Sequence, residues 1–209
     1  MKKITFSILL LLLTICFSYS QKRLSYDIYT GIDISKIGNS YLENWGNPWI
    51  IGLGINYHLN ENAELGLNGF YQNSKYTGEN LQLAFLAVAG LKYSVEGENT
   101  NIYQLSMVTR LYQKTGLIRS YFVFGTGVYF IDQGTIIIST WFNDDIQEMI
   151  RNKYFDSGKS ITQAFGSFGI GIKIKILKNV DWRLESSFIF TVDEYQSFLP
   201  LLSNFSIYL

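Results

Sequence analysis

Apolar and polar residues alternate with a period of two along most of the chain, in runs of about ten to fifteen residues separated by turn formers. Trp49, Ile51, Leu53, Ile55, Tyr57 and Leu59 alternate with Ile50, Gly52, Gly54, Asn56 and His58. Leu65, Leu67, Gly69 and Tyr71 alternate with Glu64, Gly66, Asn68, Phe70 and Gln72. The stretch from Leu81 to Val95 repeats the pattern. So do Phe168 to Ile176 against Ser167 to Lys175, and Trp182 to Val192 against Asp181 to Thr191. Such a chain predicts β-strands with two chemically different faces and no transmembrane helix.

The candidate strands are 24–36, 47–59, 63–74, 81–95, 101–113, 118–131, 162–177, 180–192 and 200–209. A closed antiparallel barrel made from one chain needs an even number. Thr135 to Phe142, a β-branched run after the turn-like Asp132-Gln133-Gly134, supplies a tenth. Ten strands are favoured, with eight as the alternative in which 132–160 is one long outer loop. The ten-strand scheme makes 60–62, 96–100, 132–134 and 177–179 short periplasmic turns. It makes 37–46, 75–80, 114–117, 143–160 and 193–199 outer loops. Within 143–160, Ile146, Met149, Ile150 and Tyr154 recur at helical spacing, as in a short amphipathic turn.

One face of each strand is apolar and carries aromatics toward its ends. The other mixes Gly, Ser, Asn and isolated charges. A water-exposed sheet face would carry more charge, whereas a crowded barrel lumen suits small residues interspersed with a few long ones. The apolar face matches a lipid-facing band with aromatic girdles. The fold class is therefore all-β, an up-and-down transmembrane β-barrel. Composition agrees: the 209 residues are only 16% charged and 16% aromatic, with 18 Gly and 2 Pro. Lys+Arg and Asp+Glu both number 17, so no basic excess points to nucleic acid. A single Cys excludes a disulfide framework.

Residues 1–20 read as a cleaved secretory signal: Lys2 and Lys3, then an apolar core, then Ser18-Tyr19-Ser20 ahead of Gln21. Removing it leaves a single barrel domain, 21–209, with 15 basic and 17 acidic residues. At the other end Leu201, Ser203, Phe205, Ile207 and Leu209 occupy alternate positions, although Leu209 stands where an aromatic is usual. With the Gly-aromatic strand Phe124-Gly125-Thr126-Gly127-Val128-Tyr129 and the Ser20-Gln21 junction, these features make residues 22–209 resemble the small outer-membrane β-barrel proteins of Bacteroidota, a porin-like or OmpA-barrel-like family. The resemblance implies a cell outer membrane location, contact with outer-membrane lipid, and recognition of the final strand by barrel-insertion machinery. It leaves a protein partner open.

Catalytic and metal signatures are sparse. His58 is the lone histidine and is expected to be a hydrogen-bonded lumen or turn residue near the periplasmic end. Asp144, Asp145 and Glu148 lack the spacing of a calcium loop. Gly125-x-Gly127 and Gly169-x-Gly171 sit mid-strand, not in phosphate loops. No metal and no cofactor is expected, and the chain is read as not an enzyme. The informative group is charged: Asp27, Asp33, Glu64, Lys92, Arg110, Arg119, Lys173, Lys175, Arg183 and Glu185 all fall on the predicted lumen face. Charges of both signs in so narrow a space imply ion pairs and a plugged interior. The leading expectation is a non-enzymatic outer-membrane barrel with a structural or interaction role, acting through its outer loops or a partner protein. The alternatives are narrow-pore or hydrophobic-solute transport, and a soluble lipocalin-like carrier.

Overall fold

The computed structural model describes residues 24–34, 45–78, 91–113, 116–142, 150–153, 157–192 and 197–208. The expected signal segment, most of the strand expected at 81–95, Asp144, Asp145, Glu148 and Leu209 lie outside them. The described strands are β1 (Leu24–Asp33), β2 (Trp49–Asn60), β3 (Ala63–Ser74), β4 (Leu91–Gly97), β5 (Thr100–Tyr112), β6 (Ile118–Asp132), β7 (Ile136–Phe142), β8 (Ile150–Lys153), β9 (Ser160–Leu177), β10 (Val180–Thr191), β11 (Ser197–Phe198) and β12 (Pro200–Tyr208). Eight of them form a closed antiparallel ring in the order β1-β2-β3-β5-β6-β9-β10-β12. The register from Ser25↔Tyr208 to Asp33↔Pro200 completes the ring between β12 and β1. The two-residue β11 only extends the edge of β10.

The favoured count of ten is thus corrected to its eight-strand alternative. β4 and β7 pair with each other, from Leu91↔Phe142 to Gly97↔Ile136, and β8 joins β7 in a separate three-stranded sheet. Period-two alternation identifies a strand but not the sheet it joins. Because β3 pairs directly with β5, and β6 with β9, strands 101–113 and 118–131 run opposite to the expected directions. Tyr112 and Leu117 therefore lie at the same end as Asn60-Glu61-Asn62 and Lys178-Asn179. Residues 96–100 and 132–134 lie at the other end, which also carries the three-stranded sheet. Ile150, the one described apolar marker of the expected amphipathic turn, begins strand β8.

Within the barrel the two faces separate by alternation. On β1, Ser25, Asp27, Tyr29 and Asp33 are buried while Ile28 and Ile32 are exposed. On β10, Asp181, Arg183, Glu185 and Ser187 are buried, and Phe188 and Phe190 are exposed. The outer belt continues through Leu53, at 67% exposure, Leu67, Met107, Phe124, Ile170 and Phe205. A continuous apolar belt around the whole molecule far exceeds what a water-soluble monomer exposes. It fits a lipid-spanning band. Trp49, Tyr71 and Tyr103 line up across β2, β3 and β5 at the loop end, with ring centroids 5.5 and 5.4 Å apart, as an aromatic girdle. The lipocalin reading requires the reverse, an apolar interior and a polar exterior, and this arrangement removes it.

Small residues make the narrow lumen possible. A Cβ on Gly171 would collide with the Tyr121 ring, and one on Gly66 would press on Asn56 Oδ1 and Arg110 Nη1. Gly69, on the outer face, has nothing within 4 Å of the same position. Gly171→Val is therefore expected to destabilise the barrel by about 1–3 kcal/mol through overpacking, and Gly69→Val by no more than about 0.5 kcal/mol. Urea midpoints of the protein refolded into lipid vesicles measure both.

Candidate functional site

The turn half of the lumen holds an ion-pair cluster built from strands around the ring. Alternation places Asp27 on β1, Glu64 on β3, Arg110 on β5, and Arg183 and Glu185 on β10, all pointing inward. Arg110, Arg183 and Glu64 are each 0% exposed. Arg110 donates from Nε to Glu185 Oε2 at 2.7 Å, from Nη1 to Asn56 Oδ1 at 3.0 Å and Glu64 Oε1 at 3.2 Å, and from Nη2 to the Tyr29 hydroxyl at 3.0 Å. The Arg183 fork grips Glu64 through Nη1 at 2.8 Å and Nη2 at 3.0 Å, and Nη1 also reaches Asp27 Oδ2 at 3.1 Å. Glu64 is thus shared by both guanidiniums. Such planar, two-pronged pairing suits Arg better than Lys.

Neutral groups complete the coordination of the acids. Tyr29 donates to Asp27 Oδ2 at 2.7 Å, Ser206 to Asp27 Oδ1 at 2.5 Å, and Tyr121 to Glu185 Oε2 at 3.1 Å. Through these bonds β1, β2, β3, β5, β6, β10 and β12 all contribute to one cluster. Nearer the turn end Lys173 on β9 lies 3.0 Å from Asp181 on β10, and its Nζ donates to the Tyr208 hydroxyl at 2.6 Å.

The ten sequence-predicted residues therefore divide. Asp27, Glu64, Arg110, Arg183 and Glu185 meet in the cluster, with Lys173 in the adjoining pair. Asp33 is buried at the loop end, where Oδ1 accepts from the Leu199 backbone N–H at 3.1 Å. Arg119 and Lys175 stand at the turn-end mouth; Arg119 Nη2 donates to Glu61 O at 2.5 Å and Asn62 Oδ1 at 3.1 Å. Lys92 is a correction: it lies exposed on β4, opposite Trp141 of the three-stranded sheet and outside the lumen. Asp181, Tyr29 and Tyr121 were missed, although each shares the alternation phase of a charged residue that was identified on its own strand.

The loop half of the lumen is filled differently. Trp45, Ile102, Tyr129, Ile131, Ile136, Phe165, Ile189 and Phe198 form a buried apolar cluster, and Trp45 Nε1 donates to Glu98 O at 2.7 Å. Between the two halves a cavity of about 30 Å³ remains, lined by residues including Phe70, Ser106 and Glu185. That volume admits a water or two.

His58 has a triad-like setting. Its Nε2 is 3.1 Å from Ser25 Oγ and its Nδ1 is 3.3 Å from Glu64 Oε2. The spacing is that of a nucleophile, a base and an orienting acid. Ser25, however, is 0% exposed, and Glu64 is already engaged by two arginines. None of the described cavities is lined by Ser25, so nothing places an acyl carbon beside its hydroxyl. Among the described residues no group of His, Cys, Asp and Glu could hold a metal ion.

Removing one guanidinium leaves buried carboxylates without their cation. Arg183→Met is expected to destabilise by about 3–5 kcal/mol. Adding Glu64→Gln should recover part of that loss, giving a coupling that a double-mutant cycle on urea midpoints reads directly.

No protein-family model matches the chain, and no curated protein matches it by sequence. Solved structures do. A major outer membrane protein from Thermus thermophilus is 10% identical, with 88% of this chain and 98% of that one covered and a TM-score of 0.50. Neisserial surface protein A is 11% identical over 91% and 98% of the two chains, with a TM-score of 0.47. The N-terminal barrel domain of Pseudomonas aeruginosa OprF is 14% identical over 90% and 98%, with a TM-score of 0.42. At 10% identity the likeness to the Thermus protein extends to the fold alone: a closed eight-stranded barrel of the kind found in outer-membrane proteins.

Proposed function

We propose that this chain is an integral protein of the cell outer membrane whose sealed barrel anchors a loop-end platform, and that its role is structural or interactive and not enzymatic. The observation that carries the reading is the double closure of the lumen. Among the described residues, ion pairs fill one half, aromatic and aliphatic side chains fill the other, and a cavity of about 30 Å³ lies between them. A conducting path would need room for a hydrated ion along its whole length, and passage would require opening the paired charges, at high energetic cost. The narrow-pore alternative loses its support on the same ground. Barrel closure leaves β4, β7 and β8 outside the ring at the loop end, so the structure invested outside the membrane lies on that side.

The apolar belt supports contact with outer-membrane lipid. The alternating Leu201, Phe205 and Ile207 of β12, all outward-facing, support recognition of that strand by barrel-insertion machinery. The features shared with small barrels of Bacteroidota make that group the proposed kin. A protein partner would engage the loop-end platform.

In planar bilayers the purified protein is expected to give no stable conductance steps; large, regular steps would overturn the sealed-barrel reading. Hydrolysis of acyl esters by the wild type is expected to equal that of Ser25→Ala. A rate dependent on Ser25 would instead make the buried Ser25-His58-Glu64 arrangement catalytic.

A further inference from the structure

The turn-end mouth of the barrel holds a cavity that neither the lumen seal nor the platform explains. It measures about 300 Å³ and is lined by Arg119, Lys173, Lys175, Lys178, Asp181 and Tyr208, with Gly116 and Leu117. That volume is at the lower end of small-ligand sites. Four cations face one acid. Lys173 already answers Asp181, and Arg119 is engaged by Glu61 O and Asn62 Oδ1, so the excess lies with Lys175 and Lys178. Lys175 and Lys178 have no acidic partner among the described residues.

Local backbone structure creates this excess. β9 carries an extra residue opposite the Val180/Asp181 junction, so Leu177 pairs with Val180 while Lys175 pairs with Asp181. The irregularity ends the alternation and sets Lys175 and Lys178 together at the rim. The backbone N–H of Lys175 donates to Leu117 O at 2.9 Å, which holds the start of β6 against them. Lys173 is fixed from the inner side by Tyr208 and by the face of the Tyr112 ring, 4.8 Å from its Nζ. The pocket therefore has a rigid, nearly buried cation at its floor and solvated cations at its lip.

Its surroundings define the ligand. Leu117, Ile118 and Leu177 are 72, 68 and 62% exposed beside the basic rim, so the apolar belt reaches the cations directly. We propose that the turn-end mouth is a binding site for a phosphate group, floored by Lys173 and closed over by Lys175, Lys178 and Arg119. Lysines bind phosphate as point charges, without the planar match that carboxylates draw from Arg. The phosphate has two sources with the same chemistry: the headgroup of an anionic phospholipid whose chains lie along Leu117, Ile118 and Leu177, or a soluble phosphate ester.

The test uses the full barrel and a Lys175→Gln/Lys178→Gln variant. Both side chains are exposed, so the urea midpoint should be unchanged and folding is checked independently. Native mass spectrometry from mixed micelles compares retention of phosphatidylglycerol with phosphatidylethanolamine, and calorimetry with inorganic phosphate probes the soluble source. The wild type should prefer the anionic probe, and the variant should weaken it by roughly 30-fold, the combined effect of two interfacial cations. Loss of phosphatidylglycerol alone identifies the lipid headgroup; loss of inorganic phosphate binding identifies the soluble ester. Equal retention of both lipids together with no phosphate heat, or binding unchanged in the variant, overturns the site.

Discussion

Charges buried in a lumen too narrow for bulk water must be paired, and the rest of this structure is arranged around that constraint. An ionised side chain taken out of water carries a desolvation penalty of several kcal/mol. Two guanidiniums and three carboxylates share the space here. They are accommodated because nearly every donor and acceptor is used, with Glu64 at the centre, held by both Arg110 and Arg183. Since the partners come from opposite sides of the ring, the pairing also sets barrel register. A one-residue slip of any contributing strand would turn its charge into the lipid.

The same constraint explains the distribution of small and aromatic residues. Gly66 and Gly171 lie where Arg110, Asn56 and Tyr121 need space, and tyrosine hydroxyls fill acceptor sites where no further charge would fit. Beyond the charged half the lumen changes to apolar packing around Tyr129, Phe165 and Phe198, whose ring centroids lie 4.7 and 5.0 Å from that of Tyr129. Two chemically different seals in series make a closed barrel. On the proposed reading, function then falls to its surfaces: the loop-end sheet, the lipid belt and the basic mouth.

Much of this was legible from residue order. Period-two alternation identified the closed barrel, put Asp27, Glu64, Arg110, Arg183 and Glu185 on one face, and turned the aliphatic face outward. It failed where a strand's neighbour depends on chain-distant pairing. Leu91 to Gly97 alternates as well as any barrel strand, yet it pairs with Ile136 to Phe142 outside the ring, which took Lys92 from the expected lumen and reversed two strand directions. Asp181 shows the opposite limit: its phase was readable, but its partner Lys173 could be found only once β9 and β10 were side by side. The basic mouth depends on a bulge, and a bulge leaves no periodic signal.

The central claim, a lumen sealed against water and ions, is tested most directly by thiol accessibility along its axis. Single cysteines replacing Ser106 and Ser187, both buried and inward-facing, would be introduced into a Cys16→Ser background and exposed to a charged, membrane-impermeant thiol reagent in folded proteoliposomes. The account predicts that neither reacts until the barrel is unfolded, while a control cysteine at the exposed Lys178 reacts at once. Labelling of the lumen positions at the rate of the exposed control would contradict it.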